Sequence, residues 1–265
     1  MSNESLIFEN DGEGVATLIL NRPEKLNAID DEIRMRLPDL IKEVRQDDGI
    51  KVLILTGAGR GFCSGADVAG QATRIAGAAI EKTRQQTLEP VACFLLPLAR
   101  LEKPTIAAVN GVAAGVGLSL ALVCDIRIAS EQARFIPVWV NRGLIPDGGA
   151  TYYLPKLIGL SKALEFMYTG DSISADEAGK IGLVSEVVPH DGLIPKAREI
   201  ATRLAKGPSV AIELIKKAVY RKIHDELESQ LYFESYAQTI CRQTEDHKES
   251  VSAFLEKRAP VFKGL

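Results

Sequence analysis

The chain has 265 residues, 46% of them hydrophobic and 25% charged, and its 32 Lys and Arg against 35 Asp and Glu give a formal net charge of −3. This is ordinary globular usage: it excludes a disordered, collagen-like or disulfide-stapled chain and leaves room for one large or two small domains. Lys and Arg are scattered rather than massed, so neither nucleic acid nor an anionic membrane is expected as a partner.

Met1-Ser2-Asn3-Glu4-Ser5 lacks the basic and apolar regions of a signal peptide, and the apolar stretch Ala113 to Val123 is far short of a spanning helix, so the expectation is a cytosolic protein. β-Branched and aliphatic runs predict strands at Val15 to Leu20, Val52 to Leu55, Thr105 to Val109 and Ile126 to Ala129. Helical periodicity lies between them, over about Asp30 to Arg45, Ala79 to Leu101 and Gly115 to Cys124. That alternation predicts an α/β fold. After Pro146 helices dominate, at Thr151 to Ile158, Ser161 to Tyr168, Ala175 to Ile181, Leu193 to Ala205, Val210 to Tyr220 and Lys248 to Lys257, and only Glu186 to Pro189 reads as strand. The division drawn from this is a core over residues 1–190 and a helical region over 191–265. Leu227, Leu231, Phe233, Tyr236 and Phe254 exceed what the helical region needs for its own side of a core, which points to packing against another subunit.

Cys63, Cys93, Cys124 and Cys241 form no C-x-x-C pair, and His190, His224 and His247 lack H-x-x-x-H spacing, so neither a metal site nor a disulfide framework is expected. Two glycine-rich turns follow strands, Thr56 to Gly61 and Asn110 to Gly117. The first does not open into a helix and lacks the spacing of a dinucleotide fingerprint, and no G-K-[ST] is present. Both turns can present peptide N–H groups, the second at a helix N-terminus, where they stabilise an anion; equally, their glycines can serve only to make tight turns.

Gly61-Phe62-Cys63-Ser64-Gly65-Ala66-Asp67-Val68, with Asn110 to Gly117 and Cys124-Asp125-Ile126, resembles the enoyl-CoA hydratase/isomerase, or crotonase, superfamily. The similarity extends from Asn21-Arg22-Pro23-Glu24-Lys25-Leu26-Asn27-Ala28 through Gly143-Leu144-Ile145-Pro146 and Gly170 to Val188 to the tail Ala253 to Arg258. It implies a spiral of ββα units with a C-terminal helical trimerisation region, a trimer or dimer of trimers, acyl-CoA substrates and no cofactor beyond the coenzyme A of the substrate. It also implies that the Ala66 and Val116 N–H groups hold the thioester oxygen as it becomes an enolate. Preorganised donors of this kind in a dry site are commonly worth ~3 kcal/mol of barrier each. Val116 stands where the family usually has glycine, which requires its φ to be negative.

Hydratases of the family use two glutamates, and those positions fall here on Ser119 and Trp139, neither of which can position and protonate a water. One acidic residue, Asp147, occupies the place of the single carboxylate of the family's isomerases, and its surroundings are most similar to the ring-1,2-epoxyphenylacetyl-CoA isomerase branch. An Asp before Gly148-Gly149 and a helix is also a standard helix cap, so Asp147 has two readings, cap and base. Trp139 likewise reads as core filling or as a pocket wall that desolvates Asp147 and strengthens it as a base. The same Trp and Asp resemble 4-chlorobenzoyl-CoA dehalogenase, but the histidine base of that enzyme falls on Ala92.

By the same resemblance Lys25, Leu26, Ala28, Ser64, Asp67, Val68, Trp139, Phe254 and Lys257 are substrate or CoA contacts. For a single lysine such as Lys25 or Lys257 the alternative is a solvated surface role, and for Phe254 plain packing. Asp67 is expected to fix its own turn through side-chain to backbone bonds. Cys63 reads as a small filler, and Ser119 as bonded to a preceding helical carbonyl. The leading expectation is double-bond isomerisation of an enoyl-CoA with Asp147 as acid/base. The alternatives are hydration by an atypical route, dehalogenase-like or thioester-hydrolase chemistry with Asp147 as nucleophile, and a non-catalytic crotonase-like binding protein such as the RNA-binding relatives. The acyl pocket is expected to depend on Ala69 to Gln86.

Overall fold

A computed structural model describes residues 4–67 and 90–264. The strands are β1 (Leu6–Asn10), β2 (Val15–Leu20), β3 (Val52–Gly57), β4 (Gly61–Cys63), β5 (Thr105–Val109), β6 (Val112–Ala114), β7 (Ile126–Ser130), β8 (Arg134–Ile136), β9 (Ile173–Ser174) and β10 (Glu186–Val188). The described helices are α1 (Asp31–Gln46), α2 (Pro90–Ala99), α3 (Val116–Val123), α4 (Ala150–Ile158), α5 (Leu160–Thr169), α6 (Ala175–Lys180), α7 (Leu193–Ala205), α8 (Ser209–Gln243) and α9 (Glu245–Leu255).

The fold is α/β, and its strands form a six-stranded sheet in the order β1-β2-β3-β5-β7-β10 and a four-stranded sheet in the order β4-β6-β8-β9. Each of β3, β5 and β7 in the larger sheet is followed at once by β4, β6 and β8 in the smaller one, and both triplets run parallel. The chain thus climbs as a spiral in which each turn contributes one strand to each sheet before a helix carries it back. The short strands β4, β6, β8 and β9 have only two or three residues each, too few for an alternating pattern to declare itself in sequence.

The larger core lies between the six-stranded sheet and helices α1 to α5, around Leu18, Leu53, Leu55, Phe62, Phe94, Val109, Leu118 and Phe135. A second, smaller core lies on the opposite face of the sheet, where Leu193, Ala197 and Ala201 of α7 cover Val15, Val52, Ile54, Ile106 and Ile128. The strands buried on both faces are continuous apolar runs for this reason. Packing therefore continues past residue 190, where α7 closes the sheet. Helix α8 runs on for 35 residues where periodicity predicted only Val210 to Tyr220. Of the helix expected over Ala79 to Leu101, Pro90–Ala99 is present and the remainder of the segment up to residue 89 is outside the described residues.

Candidate active site

Three backbone segments meet where the two glycine-rich turns end. The loop after β2 forms a short 3-10 turn, Pro23–Lys25, and Leu26 and Asn27 follow with left-handed φ of 49° and 58°. Asn27, fully buried, holds this loop to the next segment: its Oδ1 accepts from Arg22 N–H at 2.8 Å, and its Nδ2 donates to the carbonyls of Ala58 (2.9 Å) and Gly61 (2.7 Å). Ser64 donates its N–H to Leu26 O (2.9 Å) and its Oγ–H to Lys25 O (3.0 Å), and Asp67 donates its N–H to Ile29 O (3.0 Å). Lys25, Leu26, Ala28, Ser64, Ala66 and Asp67 are thereby gathered along one short stretch of surface.

The Asp67 side chain is tied to the 22–28 loop. Its Oδ2 pairs with Arg22 Nη2 at 2.9 Å, while Arg22 Nη1 donates to Ala28 O at 2.7 Å and Nε pairs with Asp30 at 3.1 Å. A guanidinium satisfies several acceptors in one plane, so Arg22, which the sequence reading passed over, ties the two loops together.

Ala66 pairs with Ile29 as an isolated parallel bridge in which Ile29 N–H goes to Gly65 O and Asp67 N–H to Ile29 O. The bridge leaves Ala66 N–H pointing away from Ile29. Val116 is the first residue of α3, whose leading N–H groups have no intrahelical partner. Among the described residues no acceptor takes either N–H. Among the described residues the non-glycine residues with positive φ are Leu26, Asn27 and Lys257, so the valine at position 116 sits without strain and Gly115 takes the left-handed turn before it.

Two glycines permit the close approach of these segments. A Cβ on Gly117 would stand 2.2 Å from Cys63 O, and one on Gly65, itself at φ 104°, would stand 3.0 Å from Ala114 O. The backbone of 63–66 lies directly against that of 114–117, and the Ala66 and Val116 amides share the seam. Cys63 packs under it as filler, its thiol pushed up to about 12 by burial.

Asp147 lies in the turn before α4, 7% exposed. Its Oδ1 accepts from Trp139 Nε1 at 2.9 Å and its Oδ2 from Gln238 Nε2 at 3.1 Å. Ser119 lies within α3 but donates its Oγ–H across to Asp147 O (2.7 Å) rather than to a preceding helical carbonyl. The cap reading of Asp147 falls to another residue: Glu234, 1% exposed on α8, accepts Gly149 N–H (2.8 Å), Thr151 N–H (3.2 Å) and the Thr151 hydroxyl. Burial pushes the Glu234 carboxyl up to about 7, against the lowering effect of these donors and with a further rise from the nearby Asp147 charge. Trp139, 3% exposed, is not only an apolar wall: its N–H meets the carboxylate and stabilises the charge there, which opposes the strengthening by desolvation expected of it.

The C-terminal helices grip this segment from both sides. On α8, Glu226, Gln230, Glu234 and Gln238 recur every fourth residue and so share one face. Glu226 accepts from Tyr152 Oη (2.9 Å) and Gln230 Nε2 donates to Thr151 Oγ1 (2.7 Å). On α9, His247 Nδ1 (2.8 Å) and Ser250 Oγ (2.9 Å) both donate to Arg142 O, and the Arg142 guanidinium lies 3.8 Å from the centre of the Phe254 ring. Phe254 and Lys257, both exposed, thus sit at the end of α9, whose bonds go to the 140–143 turn and not to the 22–28 loop. Val68, residues 69–86 and the Ala92 side chain lie outside the described residues. A cleft of about 380 Å³ bounded by Thr17, Thr56, Asn110, His190 and Arg198 lies on the α7 face of the sheet and contains neither Asp147 nor the paired amides.

Glu234 and Gln238 were missed by sequence reasoning because each is one polar residue among many in a long helix, and nothing local shows that this face is turned inward. The i, i+4 repeat of Glu and Gln was the available signal.

Residues 10–265 match the family model described as enoyl-CoA hydratase/isomerase. The 1,2-epoxyphenylacetyl-CoA isomerase of Escherichia coli is 41% identical over 95% of this chain and 96% of its own length. The short-chain-enoyl-CoA hydratase of Clostridium acetobutylicum is 38% identical over 97% of both. Among solved structures, an enoyl-CoA hydratase/isomerase from Pseudoalteromonas atlantica superposes with a TM-score of 0.88 at 32% identity, covering 98% of this chain and 100% of that one.

Proposed function

The chain belongs to the enoyl-CoA hydratase/isomerase family, with the crotonase-type spiral fold and acyl-CoA-transforming chemistry of that family, and we propose that its reaction is the isomerisation of an enoyl-CoA double bond. In this reading the thioester oxygen rests between the Ala66 and Val116 N–H groups, and the coenzyme crosses the stretch formed by Lys25, Leu26, Ala28, Ser64 and Asp67. Asp147 takes a proton from the α carbon, the C–H electron pair enters the enolate, and the oxyanion is stabilised by the two amides. The same carboxylic acid then delivers the proton to the γ carbon. No cofactor is required, since coenzyme A is part of the substrate.

The observation that carries this reading is that Asp147 is buried, oriented by Trp139 and Gln238, and relieved of capping duty by Glu234. Trp139 and Gln238 each donate to a different oxygen of the carboxylate, which fixes the plane of the group. The E. coli relative named as an isomerase supports the same chemistry.

Hydration is the second reading, favoured by the relative named as a hydratase and by the presence of a second buried carboxylate, Glu234, beside Asp147. It ranks lower because both Glu234 oxygens are committed to Gly149 and Thr151, so Glu234 is poorly free to hold a water. The test is product analysis by mass and ultraviolet spectrum for a 3-enoyl-CoA and for crotonyl-CoA in parallel. Isomerisation predicts conjugation of the first with no change in mass and little conversion of the second. Rapid addition of water to crotonyl-CoA, well above ~10 per second, would overturn it.

We further propose a trimer or dimer of trimers as the working form, from the apolar side chains that α8 and α9 leave exposed, among them Phe233, Tyr236, Ile240 and Leu255.

A further inference from the structure

Gln238 is 1% exposed, its Nε2 donates to Asp147 Oδ2 at 3.1 Å, and its Oε1 is buried with no hydrogen-bond partner. A buried amide oxygen without a donor is costly and uncommon. Trp139 Nε1, which also bonds Asp147, can only donate, so it can serve the carboxylate and never accept the proton of the carboxylic acid. An amide differs in this respect, because a half-turn about its terminal torsion exchanges a donor for an acceptor at the same place.

We propose that Gln238 is a positioning residue serving both protonation states of Asp147, its Nε2–H holding the carboxylate and its Oε1, after a half-turn, accepting the O–H of the carboxylic acid. The inference rests on Asp147 as the acid/base of the isomerisation. When Asp147 has broken the α C–H bond, the electron pair lies in the enolate and the proton is on the carboxyl group. At Oδ2 that proton turns to Gln238 Oε1 and is held inside the protein until it bonds to the γ carbon, after which the carboxylate again accepts from Nε2–H. Nothing is oxidised or reduced, and the proton that leaves one carbon arrives at the other. The half-turn loses no existing bond at the far end of the amide, because Oε1 has none to lose. Of the other described groups at this place, Glu234 is committed to Gly149 and Thr151 and the Ser119 hydroxyl to Asp147 O, so neither competes for the proton.

The experiment uses a 3-enoyl-CoA deuterated at the α carbon, with the mass spectrum of the product reporting how much label reaches the γ carbon. The wild-type protein is expected to carry label across. Gln238→Met keeps the length of the side chain and removes both hydrogen-bonding roles. It is expected to lower kcat by about tenfold with KM within about twofold, and to carry less label because the proton exchanges with water. If that variant does not fold, Gln238→Leu replaces it with the same expectation. Wild-type kcat and label transfer in either folded variant, or a wild-type product with no label at the γ carbon, overturns the proposal. Asp147→Asn run beside them separates the two readings: activity retained there removes Asp147 as the base, whereas loss there with an unaffected Gln238→Met removes only the role of Gln238.

Discussion

Asp147, the proposed acid/base, has surroundings set by residues remote in sequence. An Asp before two glycines and a helix reads equally as cap and base in sequence, and capping bonds are supplied 87 positions away, by Glu234. No local pattern contains that information. Burial of Glu234 has its own consequence. Its carboxyl rises from an ordinary 4.5 to about 7 in the folded chain, so the folded state holds a proton that the unfolded state has released between those values. Stability accordingly falls as pH rises from about 4.5 to about 7, by on the order of 3 kcal/mol. Glu234→Gln cannot titrate, and its melting temperature is expected to vary less over that interval than that of the wild type; parallel curves would contradict the assignment. Trp139 makes a second expectation at this scale. Trp139→Phe keeps most of the ring and removes only the donor to Asp147 Oδ1, so kcat is expected to fall about tenfold with thioester binding largely kept.

Among the elements, long strands and helices were legible because each repeats one period over enough residues. β2, β3, β5 and β7 stand within a residue or two of where apolar runs placed them, and α4 to α7 likewise. The four-stranded sheet was not legible, since β4, β6, β8 and β9 are too short to show alternation and form by pairing with strands far away in sequence, parallel among the first three and antiparallel between β8 and β9. The positions of Ala66 and Val116 depend on that hidden sheet. Resemblance supplied the two residues, but their approach is enforced by glycines that pack backbone on backbone. Gly117→Ala tests this directly, because its methyl group would collide with Cys63 O, a backbone atom that cannot turn aside. The substitution is expected to destabilise the protein by ~2 kcal/mol or more and to depress activity in whatever folded protein remains, measured by chemical unfolding and turnover. A neutral effect would mean that the seam between 63–66 and 114–117 is looser than described.

Over the whole molecule, the C-terminal helices have two occupations. Their inward faces, through Gln238, Glu234, His247 and Ser250, hold the 139–151 segment of their own chain, while their outward faces carry exposed apolar residues that the proposed assembly would cover. Of the apolar surplus read in the sequence, Leu227 and Leu231 are buried in the core of their own chain and Phe233, Tyr236 and Phe254 are exposed, whereas the inward polar residues gave no signal because in a helix they look like solvated ones. Light scattering is expected to give a multiple of three times the 28.7 kDa chain at micromolar concentration, and a monomer would contradict the proposed assembly. The measurement that bears most directly on the function is the turnover of a 3-enoyl-CoA by Asp147→Asn, with thermal stability and CoA binding measured on the same samples. The asparagine keeps the size of the side chain and an acceptor for Trp139 but has no basicity. Isomerisation should fall ~100-fold or more while binding and folding are nearly unchanged. Activity retained, or lost only together with the fold, would contradict Asp147 as the residue that moves the proton.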